Sequence, residues 1–344
     1  MERGRGGSFR HSPIESAGMS TQPFSRRSLL VATGIAAVGS AIGVTEHSRA
    51  ADNPPGRIAF SRNGNLWTWE NGNTNELLND GSASQPRWSP DGSQFVFVRE
   101  GESFSDLYLR TVGVNDETQL TYNQSTDYDL GTLEYAQSSS WVVDPSWSIS
   151  GVLGYASDFG MLYQVMALFV ANYPGDYPIQ MSVPIDAAGN YEIIEGISVS
   201  GDGSVAAYTS RLFQEDTGSF VSYVGLQDLG SGEYGEFVSE VGGVFDPAME
   251  PGGSRVAVAI RAGEVTDIWL VDRDGGSRIQ VTNAANATRP CWSSDSSWLA
   301  YYKMVDFKFE AWAVSVQGET IGEPMKLFNF DDIDSESGFS WFVG

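Results

Sequence analysis

One short phrase recurs along this chain about every fifty residues, and a recurrence at that spacing restricts the chain to repeat architectures. The phrase is clearest at Pro86-Arg87-Trp88-Ser89-Pro90-Asp91-Gly92. It returns as Pro145-Ser146-Trp147-Ser148, as Ile197-Ser198-Val199-Ser200-Gly201-Asp202-Gly203, and as Pro247-Ala248-Met249-Glu250-Pro251-Gly252. Two more copies are Pro290-Cys291-Trp292-Ser293-Ser294-Asp295 and Phe339-Ser340-Trp341. Counted on the third residue, the spacings are 59, 52, 50, 43 and 49.

A short apolar strand follows each of the first five copies, at 94–98, 152–156, 205–209, 255–260 and 298–302. A second follows at 106–110, 167–171, 222–226, 267–271 and 310–314. Both sets are rich in β-branched and aromatic residues and are bounded by Gly, Asp, Ser and Pro, the pattern of strands joined by hairpins. Pro-Asp-Gly and Gly-Asp-Gly are turn sequences, because Gly accepts positive φ and Pro presets φ near −65°.

The two ends complete the pattern. The sixth copy has no strand after it, and Arg57-Ile58-Ala59-Phe60-Ser61 is a strand with no phrase before it. Joined, they make a sixth unit, with three strands from residues 57–78 and one from 339–343. Such a ring hides the edges that an open sheet exposes. The expectation is an all-β fold, a six-bladed β-propeller spanning 51–344.

Pro-x-Trp-Ser-Pro-Asp-Gly followed by an apolar strand resembles the TolB-type propeller repeat of bacterial envelope proteins. The resemblance covers residues 57–344. It is sharpest at Trp88, Trp147 and Trp292, and degraded where Val199 and Met249 replace Trp. No segment before residue 57 resembles the separate N-terminal domain of TolB. The resemblance implies an envelope propeller that binds a protein or peptide without catalysis.

Residues 1–50 read as an export leader. Ser25-Arg26-Arg27-Ser28-Leu29-Leu30 resembles a twin-arginine signal, and Ser48-Arg49-Ala50 offers a cleavage site after Ala50. The apolar stretch from Leu29 to Val44 holds 16 residues, short of the ~20 a spanning helix needs. Met19 is an alternative start. The expected location is periplasm, cell wall or extracellular space, peripheral to a membrane at most.

The leader holds six Arg and three Glu, so residues 51–344 carry 14 basic and 41 acidic side chains, net −27. Such a surface repels nucleic acid and anionic lipid and favours cations or basic partners. The single cysteine, Cys291, rules out an internal disulfide. The chain is expected to be a monomer.

Both histidines, His11 and His47, lie in the leader. Residues 51–344 therefore cannot build a Ser-His-Asp triad, a Cys-His pair or a metal site that depends on His. Propeller lyases that hold a metal through histidines are excluded on the same count. Cys291 stands where other copies carry mostly small residues and reads as a buried structural thiol. Asp272-Arg273-Asp274-Gly275-Gly276 lacks EF-hand spacing and reads as a hairpin turn. The apolar run Met161–Val170, flanked by Tyr155, Phe159, Tyr163 and Tyr173, reads as an inner strand of the third blade.

The segments before each phrase cross between blades and should gather at one mouth of the central channel. They are acidic. The longest, about 122–143, holds Asp127, Asp129 and Glu134, with Tyr122, Tyr128, Tyr135 and Trp141 as either a contact surface or packing. Loops beyond ~12–15 residues are often functional. The last crossing holds Asp332 and Asp334, Glu192 and Glu195 precede the third phrase, and Asp144 and Asp246 precede their prolines. Arg87 and Arg289 are the basic residues beside these anchors. The candidate site is thus an acidic funnel of Asp127, Asp129, Glu134, Asp144, Glu195, Asp246, Asp332 and Asp334 with Arg87 and Arg289. Its expected partner is a protein or peptide of the envelope, basic in character. The alternatives are a small ligand or a cation such as Ca²⁺ in the funnel, or carboxylate-based chemistry on a glycan. No cofactor is expected otherwise.

Overall fold

A computed structural model describes residues 53–344, except 162–164, 174, 176, 186–190 and 215–217. Six antiparallel sheets follow one another along the chain. The first blade contains β1 (Arg57–Arg62), β2 (Asn65–Glu70) and β3 (Asn73–Leu78). The second contains β4 (Ala83–Trp88), β5 (Gln94–Gly101), β6 (Phe104–Thr111) and β7 (Glu117–Gln119). A short helix, α1 (Leu133–Ser138), interrupts the crossing to the third blade, β8 (Val142–Trp147), β9 (Val152–Ser157), β10 (Ala167–Asn172) and β11 (Ile179–Gln180). The fourth is β12 (Ile193–Val199), β13 (Val205–Gln214), β14 (Ser219–Asp228) and β15 (Tyr234–Ser239). The fifth is β16 (Val244–Met249), β17 (Arg255–Ala262), β18 (Val265–Asp272) and β19 (Arg278–Gln280). The sixth is β20 (Ala287–Trp292), β21 (Trp298–Val305) and β22 (Lys308–Gln317), with β23 (Thr320–Ile321) and β24 (Met325–Asn329) both pairing β22. The last strand, β25 (Phe339–Phe342), is the innermost strand of the first blade.

That last pairing closes the ring. Ile58 faces Trp341 and Phe60 faces Phe339 in antiparallel register. The Trp341 indole N–H donates to the Pro55 carbonyl at 2.9 Å. Between the sixth and first blades, Ile58, Phe60, Trp69, Tyr302, Phe328, Phe339 and Trp341 form one buried cluster. Comparable clusters fill the other seams, such as Ala207, Val224, Met249 and Val258 between the fourth and fifth blades. The core therefore lies between blades rather than at the centre, as the area-proportional gain from burying apolar surface requires of stacked sheets.

The phrase ends each inner strand and makes the turn into the next. The Ser89 hydroxyl donates to Asp91 Oδ1 at 2.6 Å, while Ser89 Oγ and Asp91 Oδ1 accept the Gln94 and Ser93 backbone N–H groups. Ser200 with Asp202 and Ser293 with Asp295 repeat this geometry. These bonds favour the charged form and draw Asp91 and Asp202 down to about 2. Residues 272–276 form the turn between β18 and β19, with the Gly275 N–H donating to the Asp272 carbonyl at 2.7 Å.

One reading of the sequence needs correction. Of the apolar run Met161–Val170, residues 167–170 belong to β10, the third strand from the channel and not the inner one. Its Ala167, Leu168 and Phe169 are buried by neighbouring strands and blades, which explains the apolar pattern without a place at the channel. Tyr163 lies outside the described residues.

Candidate functional site

The inner strands β4, β8, β12, β16, β20 and β25 surround the channel and run in the same direction. Ser293 bridges Trp341 in parallel, and the Ser294 N–H donates to the Trp341 carbonyl. The inter-blade crossings therefore meet at one mouth and the Trp-Ser-Pro-Asp-Gly turns at the other.

At the crossing mouth, the long β7–β8 connection is an ordered platform. Asp106 fixes its root by accepting from Thr121 Oγ1 and the Asn123 N–H, both at 2.8 Å. Thr132 caps α1 by accepting the Tyr135 N–H at 3.1 Å. The four aromatic candidates divide. Tyr135 is buried and Trp141 is half-buried. Tyr122 and Tyr128 face out at 74% and 50% exposure, with Leu130 and Leu133 beside them in sequence at 60% and 68%. Asp127, Asp129 and Glu134 are exposed among them. Asp332 is exposed and ion-pairs with Arg62 at 2.5 Å, while Asp334 accepts from the Ser337 hydroxyl. Glu192 is buried, taking hydroxyl bonds from Ser210 and Tyr223.

Deeper, at the waist, the structure brings Arg87, Asp144, Asp246 and Arg289 around a cavity of about 50 Å³. The cause is a bulge repeated in β4, β8, β12, β16 and β20, where one extra residue shifts the register before the phrase. At these positions and just before β25, Gln85, Asp144, Gly196, Asp246, Arg289 and Gly338 have φ between 51° and 65°. The four that are not glycine each precede proline. Left-handed backbone at such residues costs on the order of 1–3 kcal/mol apiece. Hand-over bonds offset that strain. The Asp144 N–H donates to Gln85 Oε1 at 2.5 Å, the Gly196 N–H to Asp144 Oδ2 at 2.7 Å, and the Arg289 N–H to Asp246 Oδ2 at 3.1 Å. Each links one blade to the next.

Arg289 bridges both aspartates, at 3.3 Å from Asp246 Oδ1 and 3.7 Å from Asp144 Oδ1. Burial alone would lower its pKa, but Asp246, Asp144 and Glu195 hold it above the ordinary arginine value. Glu195 is pushed up, first by burial and then by Asp144 and Asp246 against the opposing pull of Arg211. The waist is thus a mixed-charge ring, in which Arg289 occupies the space where two free carboxylates would define a cation site. Among the described residues, no group of three or more His, Cys, Asp and Glu side chains converges as a metal-ligand set.

A second cavity, about 180 Å³, opens at the turn mouth and is lined by the phrases themselves, including Trp88, Trp147, Trp292, Trp341 and Cys291. Cys291 is half-buried at this wall and not sealed within a blade. Burial pushes its thiol up to about 11. The turn residues of the phrase did not by themselves mark this chamber. The available signal was the second position of the phrase, small in every copy but the one that carries Arg87.

No family model and no curated protein matches the chain. Solved structures do. TolB from Acinetobacter baumannii superposes with a TM-score of 0.61 at 14% identity, over 83% of this chain and 66% of that one. The fold is thus a six-bladed propeller similar to that of TolB. The chain spans about two thirds of the Acinetobacter TolB chain's length. A putative TolB from Agrobacterium tumefaciens gives 0.59 at 15% identity, over 84% and 94% of the two chains. An oligogalacturonate lyase in complex with manganese gives 0.50 at 17%, over 80% and 73%. At these identities the likeness is one of fold. Among the described residues, no helix is long and apolar enough to cross a membrane.

Proposed function

We propose that this chain is an exported, non-enzymatic propeller that binds a protein or peptide of the cell envelope at the crossing mouth of its channel. One observation carries the reading. The β7–β8 crossing is rooted by Asp106, yet exposes Tyr122, Tyr128, Leu130 and Leu133 interleaved with Asp127, Asp129 and Glu134. Exposed apolar side chains ringed by charge of one sign suit a partner with apolar anchors and a basic rim. The TolB-like fold and the twin-arginine resemblance support the envelope setting. The likeness to the lyase adds no catalytic group. Residues 51–344 contain no histidine, so acid–base chemistry would rest on carboxylates, and the two at the waist are engaged by Arg289.

The test is a pull-down from the envelope fraction with wild-type protein and two variants, Tyr128→Ala/Leu133→Ala and Asp127→Asn/Asp129→Asn. These side chains are exposed, so circular dichroism should show the fold retained. A partner that the wild type captures and both variants lose supports the reading. Capture unchanged by both variants refutes it.

A further inference from the structure

The turn-mouth chamber inverts the charge of the protein around it. Residues 51–344 carry 41 carboxylates, yet none lines this cavity, and its single charged residue is Arg87. Arg87 forms no ion pair among the described residues. Its Nη1 donates to the Pro86 and Ser337 carbonyls at 2.9 and 3.1 Å, while Nε and Nη2 have no acceptor among the described residues. That edge of the guanidinium is the pair of parallel donors that a carboxylate accepts in bidentate fashion. Burial lowers the Arg87 pKa, the neighbouring Arg289 adds to this and Asp144 only partly opposes it, so the cation sits where an anion would stabilise it.

The chamber wall supplies further donors. Ser146, Ser198 and Ser340 occupy the same place in three copies of the phrase, and all three line the cavity. Each oxygen accepts a backbone N–H of the next blade at 2.9 Å, from Val199, Met249 and Trp88 respectively. No hydroxyl hydrogen of the three is given to an acceptor among the described residues, so each is available to an anion. The rest of the wall is apolar, with indoles, Ile197 and Met249. A volume of about 180 Å³ admits a side-chain-sized group and not a drug-sized one. One arginine in a protein of net −27 matches a monoanion better than a phosphate dianion.

We propose that the turn-mouth chamber binds an organic monocarboxylate, held by the Arg87 guanidinium and the serine hydroxyls with its apolar body against the chamber wall. A free small acid and the C-terminus of a peptide present the same chemistry. The site lies opposite the crossing mouth, so the pull-down above can fail without bearing on it.

Titration calorimetry on the wild-type protein with 3-phenylpropionate and 3-phenylpropanamide tests this carboxylate site, and glycylglycylphenylalanine with a free or amidated C-terminus distinguishes the source. An acid should bind about tenfold or more tighter than its amide, as expected for a charge-assisted bond. Preference confined to the peptide pair identifies a chain terminus, and preference in both pairs a general acid site. Arg87→Met should abolish the preference. Cys291, the sole thiol, reports independently: the acid should slow its alkylation by N-ethylmaleimide several-fold and the amide should not. Acid and amide that are indistinguishable in wild-type binding and in Cys291 protection overturn the proposal, as does an acid preference that survives in Arg87→Met. The wild-type comparison decides even where the variant fails to fold.

Discussion

Replacing Arg289 with Met would test how the waist holds its charges. The guanidinium lies 3.3 Å from Asp246 and 3.7 Å from Asp144, with side-chain exposures of 27%, 14% and 10%. At an effective dielectric near 20, those separations correspond to gross attractions of about 5 and about 4.5 kcal/mol. Desolvation of all three groups offsets much of this. What the variant loses is set by the two carboxylates left behind, unpaired and mutually repelling. Breaking a buried pair in this way costs ~3–5 kcal/mol, and water in the channel favours the lower end. About 290 residues carry an unfolding entropy of about 0.6 kcal/mol/K, so a loss of ~3 kcal/mol lowers Tm by about 5 °C. Thermal denaturation followed by circular dichroism at pH 7 measures this. The informative control is Arg289→Met with Asp144→Asn and Asp246→Asn. It removes the orphaned charges while keeping oxygens that accept the Gly196 and residue-289 N–H groups, and should restore most of the loss. Millimolar Ca²⁺ should raise the Tm of the single variant more than that of the wild type, because only the variant leaves both carboxylates free. A single variant as stable as wild type, or a triple variant as unstable as the single, would refute the reasoning.

Glu195→Gln and Ser198→Ala test two further links. Burial and the two neighbouring aspartates raise Glu195, so its ionised form costs the folded state stability, a cost that sets in as pH rises through the ordinary glutamate range and is absent below it. Glu195→Gln should therefore have the higher Tm at pH 7 and match wild type below about pH 4; a lower Tm at pH 7 would mean the Arg211 pair dominates. Ser198→Ala leaves the Met249 N–H without its acceptor at the seam between the fourth and fifth blades, at a cost of about 1–3 kcal/mol in urea unfolding. A change below about 0.5 kcal/mol would show that the serine ring is dispensable.

The blades were legible in the sequence because strand alternation and the phrase act locally. Val96, Val258 and Leu299 are buried on the strands that the alternation marks. Closure was legible too, since the phrase at Phe339 lacked a strand and Arg57 began one without a phrase. The division of Tyr122 and Tyr128 from Tyr135 was not legible, because a helix of six residues decides which ring turns inward. The waist was half legible. Asp144, Asp246, Arg87 and Arg289 stood out by their place beside proline, but their pairing depends on blades more than forty residues apart. The signal that went unread was at the position before the phrase, where Gln, Asp, Gly, Asp, Arg and Gly include four residues that tolerate the left-handed backbone. The chamber was hidden for another reason. Acidic composition describes the whole surface and says nothing of where acids are absent.

The pairing of β1 with β25 joins residues at opposite ends of the fold, Phe60 with Phe339. A ribosome delivers β1 before the other described strands and β25 after them. Until then β1 and β20 flank an unfilled slot, and the seam that buries Phe60, Tyr302 and Trp69 lacks Phe339 and Trp341. A chain halted before Phe339 cannot fill that slot from within itself. Closure of the ring therefore rests on strands from the two ends of the fold, and neither end is sealed without the other.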